Sequence, residues 1–175
     1  MNSLSRLIRE AGNTLILTQQ NTGLTALRIA LGIVLLGHGL QKAFGWFGGF
    51  GWSNTIHYFT GNVGVPYLLG ALVIGIETLG AVMLILGFAG RLNAALMSIV
   101  IFGAFLKDHL ANGFFMNWFG NQKGEGFEFD ILFIAMALVL TVQGSGAYSI
   151  DRWLMTRKPT EKTANHYQLS SSSIG

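Results

Sequence analysis

The 175-residue sequence contains no cysteine. Disulfide exchange, thiolate catalysis, iron–sulfur clusters and cysteine-bound zinc are therefore excluded within this chain. Any redox chemistry that the protein carries out must depend on a molecule that it binds.

Charge is also scarce, because only 11% of the residues are charged while 51% are hydrophobic, and the mean hydropathy is +0.49. A soluble protein of this length needs more charge on its surface. The 24 glycines fit a membrane protein, since small residues let membrane helices pack closely. The net charge of +3 is not gathered on one face, so nucleic-acid binding is not predicted. The composition predicts an integral membrane protein in a lipid bilayer.

Four long apolar stretches are expected to cross the bilayer as helices. A helix rises about 1.5 Å per residue, so roughly 20 apolar residues span a hydrocarbon core of about 30 Å. The fourth stretch is the shortest, and aromatic residues at its ends are expected to lie in the interface. The sequence thus predicts an all-α four-helix bundle in a transmembrane domain of residues 23–155, with spans at about 24–44, 66–88, 92–110 and 127–146.

The basic residues are distributed unequally between the two sides of this predicted bundle. One side carries eight of them: Arg6, Arg9, Arg28, Arg91, Arg152, Arg157, Lys158 and Lys162. The other side carries three: Lys42, Lys107 and Lys123. By the positive-inside rule, both termini are expected in the cytoplasm. Residues 1–22 have apolar residues at helical spacing and predict an amphipathic helix on the inner membrane surface, whereas the polar tail 156–175 is predicted to be disordered.

Glu77 is the clearest candidate functional residue, because it lies near the middle of the second span. A charge at that depth is costly and rarely lacks a role. Gly70, Gly80 and Ala81 share its helical face, so this face is expected to pack against a neighbouring helix and to direct Glu77 inward. The alternative is a carboxyl group that only fixes helix packing.

His38 and Lys42 lie four residues apart, on one face near the end of the first span. Adjacent helices run antiparallel, so both residues are expected to converge with Glu77, and a proton could pass between Glu77 and His38. The alternatives are that Lys42 extends to the lipid headgroups and that His38 only forms an interhelical hydrogen bond.

The outer ends of the third and fourth spans carry further ionisable residues. Consecutive helical residues point about 100° apart, so Lys107, Asp108 and His109 cannot all face inward. Asp108 and His109 are candidates for substrate binding, with a solvated helix end as the alternative. The same alternative applies to Glu128 and Asp130. No metal site is predicted, although a haem between His38 and His109 is a further alternative.

The predicted outer loops, 45–65 and 111–126, are rich in glycine and aromatic residues. They are expected to form either part of the interfacial aromatic belt or a lid over a pocket. If the candidate residues converge, such a pocket suits a flat, lipid-soluble ring.

In the stretch from about Thr22 to Asp151, the sequence resembles the DoxX family of small bacterial and archaeal membrane proteins. The shared features are Arg28, the element His38-Gly-Leu-Gln-Lys42, Glu77, Gly87, Arg91, His109 and the segment Gly144–Asp151. The resemblance implies a four-helix bundle in the cytoplasmic membrane that acts as an oxidoreductase component. It also implies a link to quinone-like or catecholic compounds and to oxidative stress. More distant relatives use a cysteine pair, a mechanism that this chain cannot use.

The leading functional hypothesis is a membrane oxidoreductase subunit that binds a quinone and handles its protons. Glu77 and His38 would relay the protons, and Lys42 or His109 would hydrogen-bond a quinone carbonyl. The sequence has no nucleotide-binding motif, so a soluble or membrane redox partner is expected to supply electrons. One alternative is a small proton-coupled transporter or binding protein, a class that usually has more helices or forms a homo-oligomer. The other is a structural subunit of a larger membrane complex.

Overall fold

The computed structural model of the protein describes residues 12–157, and in that range the chain forms helices joined by turns and loops. Residues 12–16 are helical and precede the first long helix. Six longer helices follow: α1 (Thr22–Phe44), α2 (Gly51–Gly61), α3 (Tyr67–Leu86), α4 (Gly90–Asn112), α5 (Glu128–Gln143) and α6 (Ile150–Arg157).

Three of the described helices, α1, α3 and α4, are long and apolar enough to cross a membrane. They contain 23, 20 and 23 residues, which at about 1.5 Å per residue matches a hydrocarbon core of roughly 30 Å. Helix α5 has only 16 residues but packs against α4 and α1 and completes the bundle. The predicted all-α membrane bundle is confirmed, while the fourth crossing and the cytoplasmic location of both termini stay predictions.

A single apolar core holds the four bundle helices together. Every bundle helix contributes side chains that are almost fully buried, including Leu35, Leu84, Met97 and Phe133. The outside of the bundle is also apolar, as large side chains such as Leu68, 77% exposed, show. An apolar exterior around an apolar core is typical of a protein whose solvent is lipid.

Helix ends follow from local sequence at both ends of α1. The Asn21 side chain accepts hydrogen bonds from the backbone N–H groups of Gly23 and Leu24, at 2.8 and 3.2 Å. Gly45 then ends the helix with φ of 73°, in the left-handed region that glycine adopts without strain. The short side chain of Asn21 thereby satisfies backbone donors that a helix start leaves unpaired.

The predicted fourth span, 127–146, continues beyond the helix that the structure contains. Helix α5 ends at Gln143 because Gly144 adopts φ of 88°, and the chain then forms an irregular segment before α6. The predicted disordered tail 156–175 begins too early, since Thr156 and Arg157 belong to α6. The remainder of that tail, and residues 1–11 of the predicted amphipathic segment, lie outside the described residues.

Arg28 joins three segments at the end of the bundle where α3 meets α4. Its buried guanidinium donates hydrogen bonds to the carbonyls of Leu84 and Ile85 in the last turn of α3. It also donates to the carbonyls of Ser145 and Tyr148, at 2.8 and 2.6 Å. Carbonyls at a helix end lack partners within the helix, so Arg28 satisfies groups that are costly to bury alone.

Asp151 satisfies backbone N–H groups at the start of α4, just as Arg28 satisfies carbonyl groups at the end of α3. Its carboxylate accepts hydrogen bonds from the N–H groups of Ala89 and Gly90, at 2.8 and 2.9 Å, and from the Ser145 hydroxyl, at 2.6 Å. A negative charge here is also favoured by the helix dipole. Arg28 and Asp151 are therefore structural groups of this end, which we call the turn end.

Candidate functional site

The opposite end of the bundle, which we call the site end, contains a close pair of opposite charges. The Nζ atom of Lys42, near the end of α1, lies 2.5 Å from Oε2 of Glu77 in α3. The Glu77 side chain is only 4% exposed and that of Lys42 is 28% exposed. The prediction that Glu77 points into the bundle is confirmed, and the expected approach of Lys42 to it is present.

Glu77 lies in a widened turn of α3. Residues Ile76–Gly80 form a π-helical turn, and the Thr78 hydroxyl donates to the Ile74 carbonyl at 2.7 Å. Such turns are rare and frequently occur at functional sites. A second π-helical turn, Phe105–His109, ends the regular part of α4. The two widened turns carry three of the candidate residues: Glu77, Asp108 and His109.

Gly39 allows α1 to approach the widened turn of α3 closely. A Cβ atom at this position would lie 2.6 Å from the Glu77 carbonyl carbon and 2.8 Å from the Thr78 nitrogen, closer than real contacts permit. The two backbones therefore meet where the Lys42–Glu77 pair forms. Gly70 and Gly80 on α3 likewise face neighbouring side chains, as their shared helical face predicts.

A second ionisable pair joins α4 to α5. The Nδ1 atom of His109 lies 2.7 Å from Oδ2 of Asp130. The Asp130 side chain is 1% exposed, whereas that of His109 is 25% exposed. The other carboxyl oxygen of Asp130, Oδ1, is buried and has no hydrogen-bond partner among the described residues. A buried oxygen without a partner is uncommon and destabilising.

His38 links the two pairs. It lies close enough to Lys42, Glu77 and His109 to interact with each electrostatically. Its ring, exposed at the bundle surface, lies 6.2 Å from that of Phe129 in α5. Four predicted site residues are therefore gathered at the site end. They are joined by Asp130, which the sequence analysis named as an ionisable helix-end residue without assigning it to the site.

Asp108 does not join this cluster. It is exposed, and its carboxylate accepts a hydrogen bond from the Tyr58 hydroxyl of α2 at 3.3 Å. Burial, and then the neighbouring Asp108 carboxylate, raise the pKa of Tyr58, so the phenol keeps its proton and remains a donor. Asp108 thus connects α2 to the widened turn of α4.

The two loops that the sequence predicts on the outer side differ from a simple lid. The first contains α2, which packs against α1 and α3, and its aromatic residues Trp46 and Phe47 are largely exposed. In the second, Trp118 and Phe119 are 73% and 90% exposed. Exposure of this kind is typical of an interfacial aromatic belt.

Some aromatic rings of the site end do pack together. Phe105, Phe114 and Phe127 meet edge to face, with centroid distances of 5.3 and 5.4 Å from the Phe127 ring to the other two. Phe105 opens the turn that contains His109, and Phe127 immediately precedes α5. We call these three rings the aromatic border, because two of them belong to segments that adjoin His109 and Asp130 in sequence.

No group of three or more histidine, aspartate and glutamate side chains suited to a metal ion occurs within residues 12–157. Two open pockets of about 510 and 500 Å³ flank Tyr148 at the turn end and contain none of the candidate residues. We place the candidate site at the ionisable cluster and not at these pockets, because the cluster carries groups able to exchange protons.

Asp130 is the member of the cluster that the sequence analysis named at a helix end but did not assign to the site. An acidic residue in the first turn of a helix is favoured by the helix dipole, so its position alone suggests a solvated helix start. Asp130 is 21 residues from His109 across an irregular loop, so sequence spacing does not predict that the two side chains face each other. The available signal was that α4 and α5 are consecutive, antiparallel helices whose ends must meet.

A family model described as DoxX matches residues 23–110. The protein of Bacillus subtilis (strain 168) named "Putative oxidoreductase CatD" is 29% identical over 136 residues, which are 78% of this chain and 90% of that protein. No solved structure matches the chain. The range matched by the family model includes Lys42, Glu77 and His109 but ends before Asp130.

Proposed function

Since the chain belongs to the DoxX family, we propose that it is a membrane oxidoreductase subunit that binds a quinone or a similar aromatic redox molecule and handles its protons. The relative in Bacillus subtilis bears the name of an oxidoreductase, which supports the reaction class. We assign the protein to the cytoplasmic membrane, where lipid-soluble quinones are available, and expect a contribution to resistance against oxidative stress.

The observation that carries this proposal is the pairing of Lys42 with Glu77 beside His38 and the His109–Asp130 pair. Quinone reduction consumes two electrons and two protons, so a site for it needs groups that exchange protons next to an apolar surface for the ring. The cluster combines such groups with the aromatic border formed by Phe105, Phe114 and Phe127.

The residues suit a quinone in their donors as well. The Lys42 ammonium is partly exposed and has donor capacity beyond its bond to Glu77, so it can hydrogen-bond a carbonyl and stabilise developing negative charge. His38 is exposed at the bundle surface and interacts electrostatically with members of both pairs, which supports a role in passing protons to or from Glu77. Electrons come from a separate donor, either a redox protein or a diffusible reductant.

Binding of a short-chain quinone by the purified protein tests the proposal. The full chain in mild detergent is titrated with the quinone, and molecules retained from the cells are identified by mass spectrometry. We expect saturable binding that Glu77→Gln and His38→Gln each weaken about tenfold or more, because each removes a charged or hydrogen-bonding group of the site.

His57→Gln is the matched control, since His57 is an exposed residue of α2 outside the cluster. The control is expected to bind like the unmodified protein, and all variants must elute as folded protein in size-exclusion chromatography. Absence of saturable quinone binding in the unmodified protein, together with transport of aromatic compounds into vesicles, would instead assign the cluster to a proton-coupled transporter.

A further inference from the structure

The His109–Asp130 pair has a different construction from the Lys42–Glu77 pair. The Lys42–Glu77 pair joins the charged ends of two long, flexible side chains. The imidazole of His109 instead has two distinct ring nitrogens. One of them, Nδ1, is engaged by the buried carboxyl of Asp130 at 2.7 Å. The other, Nε2, has no hydrogen-bond partner among residues 12–157, and the side chain is 25% exposed. One nitrogen is therefore fixed from inside while the other remains available.

This arrangement determines which protons the pair can hold. A carboxylate only accepts hydrogen bonds, so an ionised Asp130 requires hydrogen on Nδ1. If Nε2 carries no hydrogen, the His109–Asp130 pair is an anion overall. If Nε2 carries a hydrogen, the His109–Asp130 pair is neutral overall. Exchange of the Nε2 proton is thus the step that changes the charge of the pair.

The unpaired oxygen of Asp130 indicates which of the two forms the site favours. Oδ1 is buried without a hydrogen-bond partner in the described part of the chain. A net negative charge is poorly stabilised beside such an oxygen, because no donor is present to solvate it. The neutral form, with hydrogen on Nε2, places no net charge beside this oxygen, and it is the form from which the pair can donate a proton.

We propose that His109 and Asp130 form a proton-donating dyad, in which Asp130 positions the imidazole through Nδ1 and His109 delivers its Nε2 proton to the bound quinone. This inference rests on the proposed quinone function. It assigns His109 a catalytic role beyond hydrogen bonding and adds Asp130 to the site as a positioning residue. The logic is that of the histidine and aspartate of hydrolase triads, where the buried carboxylate fixes the tautomer.

Two electrons reach the quinone from a separate reduced donor, such as a flavin or metal protein. The Nε2–H bond of His109 breaks as an O–H bond forms at one carbonyl oxygen, and the dyad becomes an anion that water reprotonates. The second proton reaches the other carbonyl oxygen through the group of His38 and Glu77, which completes the hydroquinone.

Nitrogen NMR of the histidine rings tests the dyad without any redox assay. The full chain is labelled with ¹⁵N-histidine in detergent, and the His109 signals are assigned by their loss in His109→Gln. At a pH where His109 is neutral, we expect hydrogen on Nδ1 in the unmodified protein. In Asp130→Asn, the amide can donate to Nδ1, so we expect the hydrogen to move to Nε2. The position of the hydrogen on the His109 ring should be unchanged in the control variant His57→Gln.

Quinone reduction by reduced flavin mononucleotide, corrected for the rate without protein, supplies the second measurement. Asp130→Asn is expected to lower kcat about 100-fold while quinone binding changes less than twofold, since general acid catalysis contributes about 10²–10⁴-fold. Hydrogen on Nε2 of neutral His109 in the unmodified protein, or the same tautomer in both proteins, would overturn the dyad even if quinone binds. Equal loss of quinone binding in Asp130→Asn and Glu77→Gln would assign Asp130 to binding and also reject a proton-donating role.

Discussion

At the scale of single residues, the site end contains a buried carboxylate that depends on a neighbouring positive charge. Glu77 is nearly fully buried, and its contact with the Lys42 ammonium at 2.5 Å supplies the opposite charge. Removing one partner of a buried pair leaves the other charge uncompensated, which costs far more than the intact pair contributes. The pair is therefore expected to matter for folding as well as for ligand binding.

Lys42→Gln is predicted to lower the free energy of unfolding by roughly 2–3 kcal/mol. This is below the range of about 3–5 kcal/mol for fully buried pairs, because the Lys42 side chain is 28% exposed. The measurement is unfolding of the purified protein in mixed detergent micelles. Lys123→Gln, the same change at an exposed loop lysine, should alter stability by less than about 0.5 kcal/mol.

The double variant Lys42→Gln/Glu77→Gln provides a check on the cause of this loss. If an unpaired Glu77 charge is responsible, the double variant should be more stable than Lys42→Gln alone. Equal or lower stability of the double variant would show that the lysine contributes through packing of its aliphatic chain.

The sequence predicted part of this site for a clear physical reason. Glu77, His38 and Lys42 lie inside long apolar helices, where spacing predicts the face and antiparallel packing predicts the depth. Asp108 and Asp130 lie at helix ends next to an irregular loop, where a shift of one residue changes the direction of a side chain by about 100°. Only the structure shows that Asp108 contacts Tyr58 while Asp130 contacts His109.

At the scale of secondary-structure elements, the widened turn in α3 and the glycine in α1 form one unit. The π-helical turn Ile76–Gly80 carries Glu77, and Gly39 lets the α1 backbone lie directly against it. A side chain at Gly39 would push the two helices apart at the level of the ion pair. Hydropathy patterns record neither π-helical turns nor such contacts, so the sequence predicted the pair without the close approach that supports it.

Gly39→Ala is predicted to destabilise the protein by about 1–3 kcal/mol, the usual effect of overpacking. Gly37→Ala is a matched control in the same helix, because a Cβ atom at Gly37 would meet nothing within 4 Å. The control should be neutral or stabilising by up to about 1 kcal/mol, since alanine favours helix over glycine. Thermal unfolding of both variants in one detergent compares them, and equal midpoints would contradict the proposed close contact.

The parts of the fold that the sequence did not predict include helix α2 and the position at which α5 ends. Helix α2 lies in a segment rich in glycine and aromatic residues, which resembles a loop in composition. Helix α5, predicted as part of the span 127–146, ends at Gln143, where Gly144 adopts φ of 88° and lies against residues 17–18. Hydropathy records neither the packing of α2 against α1 and α3 nor the contact of Gly144 with residues 17–18.

At the scale of the whole molecule, the two ends of the bundle have separate tasks. The turn end uses Arg28 and Asp151 to satisfy the backbone groups where α3 ends and α4 begins. The site end instead collects ionisable side chains from four helices, and one of their buried oxygens lacks a partner in the described range. This contrast agrees with a structural turn end and a chemical site end.

The absence of native cysteine makes the orientation of the molecule directly measurable, because any introduced cysteine is the only thiol of this chain. Asn121 lies exposed in the loop between α4 and α5, and Thr156 lies exposed in α6 after α5. If both termini are cytoplasmic and α5 crosses the membrane, a membrane-impermeant maleimide should label Asn121→Cys in intact cells. It should label Thr156→Cys only after the membrane is opened, and the unmodified chain should stay unlabelled.

Each other labelling pattern has a defined meaning. Labelling of Thr156→Cys alone in intact cells would reverse the orientation predicted from the eight and three basic residues. Labelling of both variants would show that the 16-residue α5 enters the membrane without crossing it. This outcome has to be tested because α5 is only about 24 Å long, shorter than a hydrocarbon core of roughly 30 Å. In that case the His109–Asp130 pair would still lie at the site end, since it is formed by the end of α4 and the start of α5.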